Sequence, residues 1–388
     1  MADGLLNKAS IILTPTGYKA GTLYNVAPID EPYEDFDFAR TSTATRINSS
    51  GLVSNVATGV PRISYDSNGD NGHILLEPTS TNLLPYSEDF SQWTKSSGGT
   101  GSAPVITSNN SISPNGTQNA DKIFFDKGIG TSVSDYSVLT TSFTSQSNTA
   151  SIYIKADSPQ RIVIRNSSTW EGYDIGTDWT RIEKTDTGGS FQIGLRDGYG
   201  VANVPNTATV YLWGAQVEAL SYATSYIPTL TGSTVTRATE TATGAGSAEL
   251  INSTEGVLYA EIAALINSGS RYLGLNDGSS NNRVVILNDG TANRIRAIVS
   301  SGGTKYADLS YIVTDITDFH KVALKYKAND FALWIDGVER ATDTSGSAPI
   351  GLNKLDFQLT GVNFYGKCKA LAVFNEALSD AELNNLTG

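Results

Sequence analysis

The stretch Phe319–Gly337, FHKVALKYKANDFALWIDG, carries the clearest strand signal in the chain. Val322, Leu324 and Tyr326 alternate with Lys321, Lys325 and Lys327, so a strand here sets an apolar row on one face and charge on the other. Ala328-Asn329-Asp330 breaks the pattern. It resumes with Phe331, Leu333 and Ile335 and stops at Asp336-Gly337, a pair suited to positive backbone dihedrals. The spacing predicts an antiparallel hairpin with one face buried.

The segments GVLYAEIAAL, RYLGLND, RVVILND, RIRAIVSS, KYADLSYIV, KLDFQLTG and GKCKALAVFNEAL flank that hairpin, giving about nine strands, enough for two facing sheets. A helix signal comes last: Ser379-Asp380-Ala381-Glu382 fits a capping box ahead of Leu383 and Leu386. The hairpin ending Trp334-Ile335-Asp336-Gly337, followed by ALAVFNEALSDAEL from Ala370, resembles the concanavalin-A-like, laminin-G-type sandwich of lectins. That resemblance implies a lectin-like domain over residues 250–388, closed by a short terminal helix.

Residues 85–228 contain ASIYIKAD, QRIVIRNS, TDWTRIEKT, SFQIGLRDG and TATVYLWGAQVEAL, short strands with Gly, Asn and Asp between them, which predicts another sandwich. The order YSEDFSQWTK, DWTRIEKT, VYLWGAQVE resembles jelly-roll carbohydrate-binding modules. Residues 229–249, TLTGSTVTRATETATGAGSAE, are poor in apolar side chains and read as a linker or an extended cover strand.

Residues 1–84 show short apolar clusters between turn signals and no core-sized pattern. Phe36, Phe38 and Arg40, then Ser49–Leu52, Val60-Pro61-Arg62, Leu75-Leu76-Glu77-Pro78 and Thr81–Leu84 resemble a string found in bacteriophage virion proteins. The resemblance implies a fibre or appendage on the phage particle surface, whose N-terminal region attaches to other virion proteins. A unit of that size is marginal alone, so a homo-oligomer is expected, a trimer by analogy with fibres. The fold class expected for the whole chain is all-β: a short β-rich attachment region, then two tandem antiparallel β-sandwiches, jelly-roll first and concanavalin-A-like second.

Composition narrows the partners. The chain has 388 residues, and 27 Lys plus Arg stand against 39 Asp plus Glu, a net charge of −12 that opposes general affinity for nucleic acid or anionic membrane. No apolar run reaches the roughly 18 to 20 residues of a membrane span, and MADGLLNKASIILTPTG lacks the pattern of a secretory signal. One cysteine, Cys368, excludes an intrachain disulfide and a thiolate metal cluster.

Enzyme chemistry on such sandwiches needs residues that are missing from the strings here. The Glu-x-Asp-x-x-Glu strand of laminarinase-type hydrolases does not occur, and Gln192-Ile193-Gly194 lacks the imidazole of alginate-lyase-type Gln-Ile-His strands. Of the two histidines, His320 opens the central hairpin and reads as structural, while His73 falls in a Gly-rich turn and reads as solvated. No catalytic residue is assigned.

Binding is better supported. Sugar rings pair an apolar C–H face with hydroxyls, so their sites combine an aromatic platform with amide, carboxylate or guanidinium partners. Trp170, Tyr173, Arg196, Asp197 and Tyr199 supply that mixture in turn-rich sequence and are the candidate carbohydrate-binding residues, with Trp334 added for its place opposite Leu333 and Ile335. For Trp170 and Tyr173, cover for the edge of a sheet is the stronger reading, because amphipathic aromatics often take that place. Trp93, Trp179 and Trp213 read as core. The repeated Leu-Asn-Asp-Gly makes Asp277 and Asp289 candidate ligands for a structural calcium, or ordinary hairpin-turn residues. The partner implied by the resemblances is a host surface polysaccharide.

Overall fold

The computed structural model describes residues 4–28 and 34–388; the start of the N-terminal segment and of the string EPYEDFDF lie outside the described residues. The chain is all-β, and among the described residues the single α-helix is Asp380–Thr387. In the hairpin, His320–Lys327 pairs with Phe331–Ile335, placing Val322 opposite Ile335 and Leu324 opposite Leu333. Asp336 (φ +50°) and Gly337 (φ +75°) then turn the chain into Val338–Asp343, the paired positive dihedrals of a type I′ turn.

The one-sided burial expected of this hairpin is corrected, because both faces are covered. Val322, Leu324, Leu333 and Ile335 face the main core, whereas Ala323, Ala332, Ala370 and Ala372 form a shallow second face on which Leu378, Leu383 and Leu386 pack. Small side chains leave the depth that a helix needs. Lys325 is itself buried and reaches Asp330 at 2.7 Å, so its charge exits at the rim.

The sheet carrying the hairpin runs, in ranges, 338–343, 331–335, 320–327, 255–264, 366–374, 73–76, 63–64, and faces a second sheet of 304–312, 294–301, 283–289, 270–276, 354–356. Strand Gly366–Phe374 would be an open edge if the body were built from 250–388 alone. Ala9–Leu13 pairs along its 371–374 half and His73–Leu76 along its 366–368 half. Ile11, Leu13, Phe36, Phe38, Ile74 and Leu76 enter the same core as Leu258, Leu324 and Leu371. The boundary expected at residue 84 is therefore not a boundary in hydrogen bonding or packing: short N-terminal strands complete a sheet that the C-terminal half leaves unfinished.

The central sandwich is contiguous in sequence. Two long strands, Tyr136–Lys155 and Thr180–Arg196, pair along nearly their whole length and shift register between Ser142 and Gln146, opposite Gly188. One half of this ribbon joins Thr207–Glu218, Gln118–Asp126 and Ser102–Ile112; the other joins Thr94–Gly98, Gln160–Asn166 and Thr169–Ile175. Ile123, Val210, Ile152, Ile164, Ile175 and Leu195 share one core, so the ribbon folds the sheet back on itself. Trp93 and Trp213 are buried as expected, and Trp179 is half-buried against Trp213's cluster.

Residues 229–249 act as the cover strand rather than a free linker. Val235–Arg237 pairs with Ser80–Asn82 and Thr241–Thr243 pairs with Phe36–Ala39. Between them, Arg237 and Glu240 enter a buried ionic network with Arg40, Arg62 and Glu77. Glu240 accepts from Arg40 Nη1 at 2.7 Å and from Arg62 Nε at 2.8 Å, and Glu77 is 2.8 Å from both Arg62 Nη2 and Arg237 Nη1. Ser225, which follows the last strand of the central sandwich, donates to Glu77 through its amide and hydroxyl. The Val-Pro-Arg and Leu-Leu-Glu-Pro strings thus meet at the junction of all three segments.

Candidate ligand-binding surfaces

Two surfaces bring together residue types that bind ligands. The first is the outer face of the half-sheet 136–142, 188–196, 160–166 and 169–175. Strand alternation sends Leu139, Ile193, Leu195, Ile162 and Ile164 into the core, and Tyr136, Arg196, Gln192, Arg165 and Trp170 to the other side. Tyr136 lies directly across from Arg196, and Arg165 across from both Trp170 and Gln192. The Arg196 guanidinium lies 4.5 Å from the Tyr136 ring, 5.1 Å from Tyr199 and 5.8 Å from Trp170, within cation–π range of each. Gln192 accepts from Arg165 at 3.2 Å and donates to Thr140 at 3.1 Å, which extends the polar row.

Tyr199 is held out over this face. Its backbone is left-handed (φ +54°) between Gly198 (φ +86°) and Gly200 (φ +79°), and its side chain is 59% exposed. A bulky residue in that region is uncommon and indicates that the surrounding turn dictates its direction. Trp170, 9% exposed against Val138 and Val163, forms the base of the group instead of an open platform.

Three of the carbohydrate candidates therefore converge: Trp170, Arg196 and Tyr199. Tyr173 does not join them, because three positions along a strand reverse the face, and it packs half-buried against the inter-sheet core. Asp197 pairs at 2.5 Å with Lys127, a buried lysine that also donates to Gly130, so it fastens two loops together. Trp334 is corrected outright: it is buried in the C-terminal body beneath Leu378, Leu383 and Leu386 and offers no surface. Tyr136, Arg165 and Gln192 were missed in the sequence. Strand register, which places them beside Arg196 and Trp170, is what would have found them.

The calcium expectation does not fit the donors present. Asp277 accepts from the Ser279 amide (2.9 Å) and hydroxyl (2.6 Å) and from Asn282 (2.7 Å), while Asp289 is paired with Arg294 and Arg296. The two turns close opposite ends of the strand Arg283–Asp289, so they cannot share an ion. Among the described residues no three His, Cys, Asp or Glu side chains are placed to hold a metal.

The second surface is a cleft of about 730 Å³ where the N-terminal segments, the central sandwich and the C-terminal body meet. Its cations are Arg46, Arg181, Lys367 and Lys369, and its carboxylates are Asp66, Glu77 and Asp318. His73 lines it and is buried, not solvated as expected: its Nδ1 donates to the Asn71 carbonyl at 2.8 Å, and its ring meets Phe319 at 5.6 Å. Burial, with smaller help from Lys367 and Lys369, outweighs the Asn71 hydrogen bond and brings its pKa down to about 4, so the ring is neutral at pH 7. His320, outside the cleft, has both ring nitrogens engaged, by the Asp336 carboxylate at 2.6 Å and the Asp315 carbonyl at 3.0 Å, which fits the structural role expected. Cys368 is buried, and that burial raises its thiol pKa.

No family model and no curated protein matches this chain. Among solved structures it is similar to the CBM40 module of the Ruminococcus gnavus IT-sialidase bound to alpha2,3 sialyllactose, at 18% identity over 38% of this chain and 94% of that one, with a TM-score of 0.31. Mouse laminin alpha1 chain, domains LG4-5, is similar at 10% identity over 62% and 88%, with a TM-score of 0.25. Trypanosoma rangeli sialidase is similar at 8% identity over 95% and 82%, with a TM-score of 0.30. Similarities this low do not extend to function.

Proposed function

We propose that this protein is an adhesin that holds glycans on the outer face of its central sandwich, as a subunit of a phage fibre or appendage. The observation that carries the glycan reading is Tyr199, exposed on a left-handed backbone and braced from below by Arg196, itself stacked on Tyr136 and Trp170. An exposed phenol ring offers a sugar its apolar face. Arg196 beside it, with Gln192 and Arg165 next along the same face, offers directional hydrogen bonds. The virion placement is supported by the likeness of the N-terminal string to phage virion proteins. A site this open binds weakly, and display of several copies on one particle would multiply avidity by about 10² to 10⁴.

The test is binding of the purified protein to host cells or a glycan array, wild type against Tyr199→Ala. Loss of an exposed ring leaves the fold intact. We expect apparent affinity to fall about tenfold, the equivalent of roughly 1.4 kcal/mol. Unchanged binding would remove Tyr199 from the site, and no binding by the wild type would remove the adhesin reading.

A further inference from the structure

We infer that the cleft between the sandwiches is a second ligand site, selective for a glycan segment bearing carboxylates. This goes beyond the adhesin reading, because it stands on different residues and specifies the ligand's charge. In a chain of net charge −12, four cationic side chains line one cavity. Among the described residues, Arg46, Arg181 and Lys367 have no carboxylate within ion-pair distance. Arg46 donates to the Ile63 carbonyl at 3.2 Å, and Arg181 to the Thr224 carbonyl and the Ser151 hydroxyl, both at 2.8 Å. The Nε of each is buried without a partner. Lys367 makes no hydrogen bond or ion pair among the described residues. Lys369 is partly committed, to Asn71 at 2.9 Å and Glu261 at 3.6 Å.

The carboxylates in the cleft do not cancel these charges evenly. Glu77 belongs to the network of Arg62 and Arg237, which lie outside the lining, and Asp66 is held by the amides of Asn68 and Asp70 and the side chain of Asn71 within its own turn. Asp318, exposed at the rim, is the remaining anion. A guanidinium that carries no carboxylate partner matches the planar, two-oxygen geometry of one.

The walls supply the other half of sugar recognition. Phe319 lies 4.1 Å below the Lys369 ammonium and the Tyr153 ring 5.4 Å from the Arg181 guanidinium, so ring faces and cations alternate around the cavity. Its volume falls within the range of about 300–1,000 Å³ found for small-ligand sites. The surrounding negative field is screened beyond roughly 8–10 Å at physiological salt, which leaves the local cations in control of an anion inside.

Calorimetric titration of the full chain with tri-galacturonate tests the assignment, with maltotriose and inorganic sulfate as comparison ligands. We expect the uronate to bind, to weaken about fivefold or more between 50 and 500 mM NaCl, and to weaken about tenfold in Lys367→Gln and further in Arg181→Gln with Lys367→Gln. Among the described residues the Lys367 ammonium makes no hydrogen bond or ion pair that holds the fold, and its charge only disfavours protonation of His73 nearby, so the single variant tests binding in a folded protein. Tyr199→Ala should leave this titration unchanged. No uronate binding, equal binding of maltotriose, equal binding of sulfate, or insensitivity to Lys367→Gln would each overturn the proposal. Sensitivity to Tyr199→Ala alone would move the ligand to the outer face and overturn it as well.

Discussion

The two sandwiches reach the same architecture by opposite routes. The central one is drawn from a single run of sequence, in which strands Tyr136–Lys155 and Thr180–Arg196 are long enough to serve both layers. The other is closed by the two ends of the chain, since Ala9–Leu13 and His73–Leu76 finish the edge of Gly366–Phe374. The first draws nearly all of its core from its own run of sequence, with Val53 packed against Trp213 from outside it. The second depends on distant segments arriving in register, and the junction that holds those segments is ionic and buried.

That junction gives the largest expected effect. Glu240 neutralises Arg40 and Arg62, and the side chains of all three are fully buried. Glu240→Ala leaves Arg40 buried without a carboxylate and Arg62 with Glu77 alone, a change that costs about 3–5 kcal/mol in buried pairs. Urea denaturation should show that loss; an unfolding free energy within roughly 0.5 kcal/mol of wild type would mean that the two sandwiches stand without the network. The pH dependence has a defined sign. Burial pushes the Glu77 carboxyl up, but Arg237, Arg62 and the Ser225 hydrogen bonds outweigh it and bring its pKa down to about 2 from the usual 4.5. A folded value below the unfolded one stabilises fully above about pH 4.5 and is lost as pH falls toward 2.

The next effect sharpens the contrast between the two bodies. Ile11 is fully buried in the core shared with Leu258 and Leu371, whereas Val105, on an outer strand of the central sandwich, is 59% exposed. Ile11→Ala should destabilise by about 2–5 kcal/mol through lost burial and a cavity. Val105→Ala should stay within about 0.5 kcal/mol. If the two variants melt alike, Ala9–Leu13 is not part of the C-terminal body.

This pairing also explains what could be read from the sequence. The central sandwich and the strands after residue 250 announced themselves because each carries its own alternation. Residues 1–84 did not, because a segment that contributes only Ile11 and Leu13, or Ile74 and Leu76, to another segment's sheet shows a cluster too short to register as core. The homo-oligomer expectation rested partly on that region being marginal alone, and its packing into the C-terminal body removes that premise, leaving the trimer as an analogy with fibres. On the outer face of the central sandwich, residue type pointed to Trp170, Arg196 and Tyr199, but only register separates Tyr173 from them and adds Tyr136 and Gln192. The cleft was invisible in sequence because its cations come from residues 46, 181, 367 and 369.

The smallest effect concerns the cover over the hairpin. The chain ends in the helix Asp380–Thr387, whose first turn is held by the expected capping box: Ser379 accepts from the Glu382 amide, and Glu382 accepts from the Ser379 amide at 2.9 Å. Lys8 at 2.8 Å from Glu382 ties that turn to the N-terminal segment, although both groups are exposed enough for solvent to weaken the pair. Ser379→Ala removes a cap worth about 1 kcal/mol, or a fall in Tm of roughly 2–4 °C for a unit of this size. Because Leu383 and Leu386 cover Trp334, fraying of the helix should also make one indole more accessible to an aqueous fluorescence quencher, and the added quenching should vanish in a Trp334→Phe background. A variant that loses stability with no change in quenching would place the cost of the lost cap in the loop before the helix, leaving the second face of the hairpin closed by packing alone.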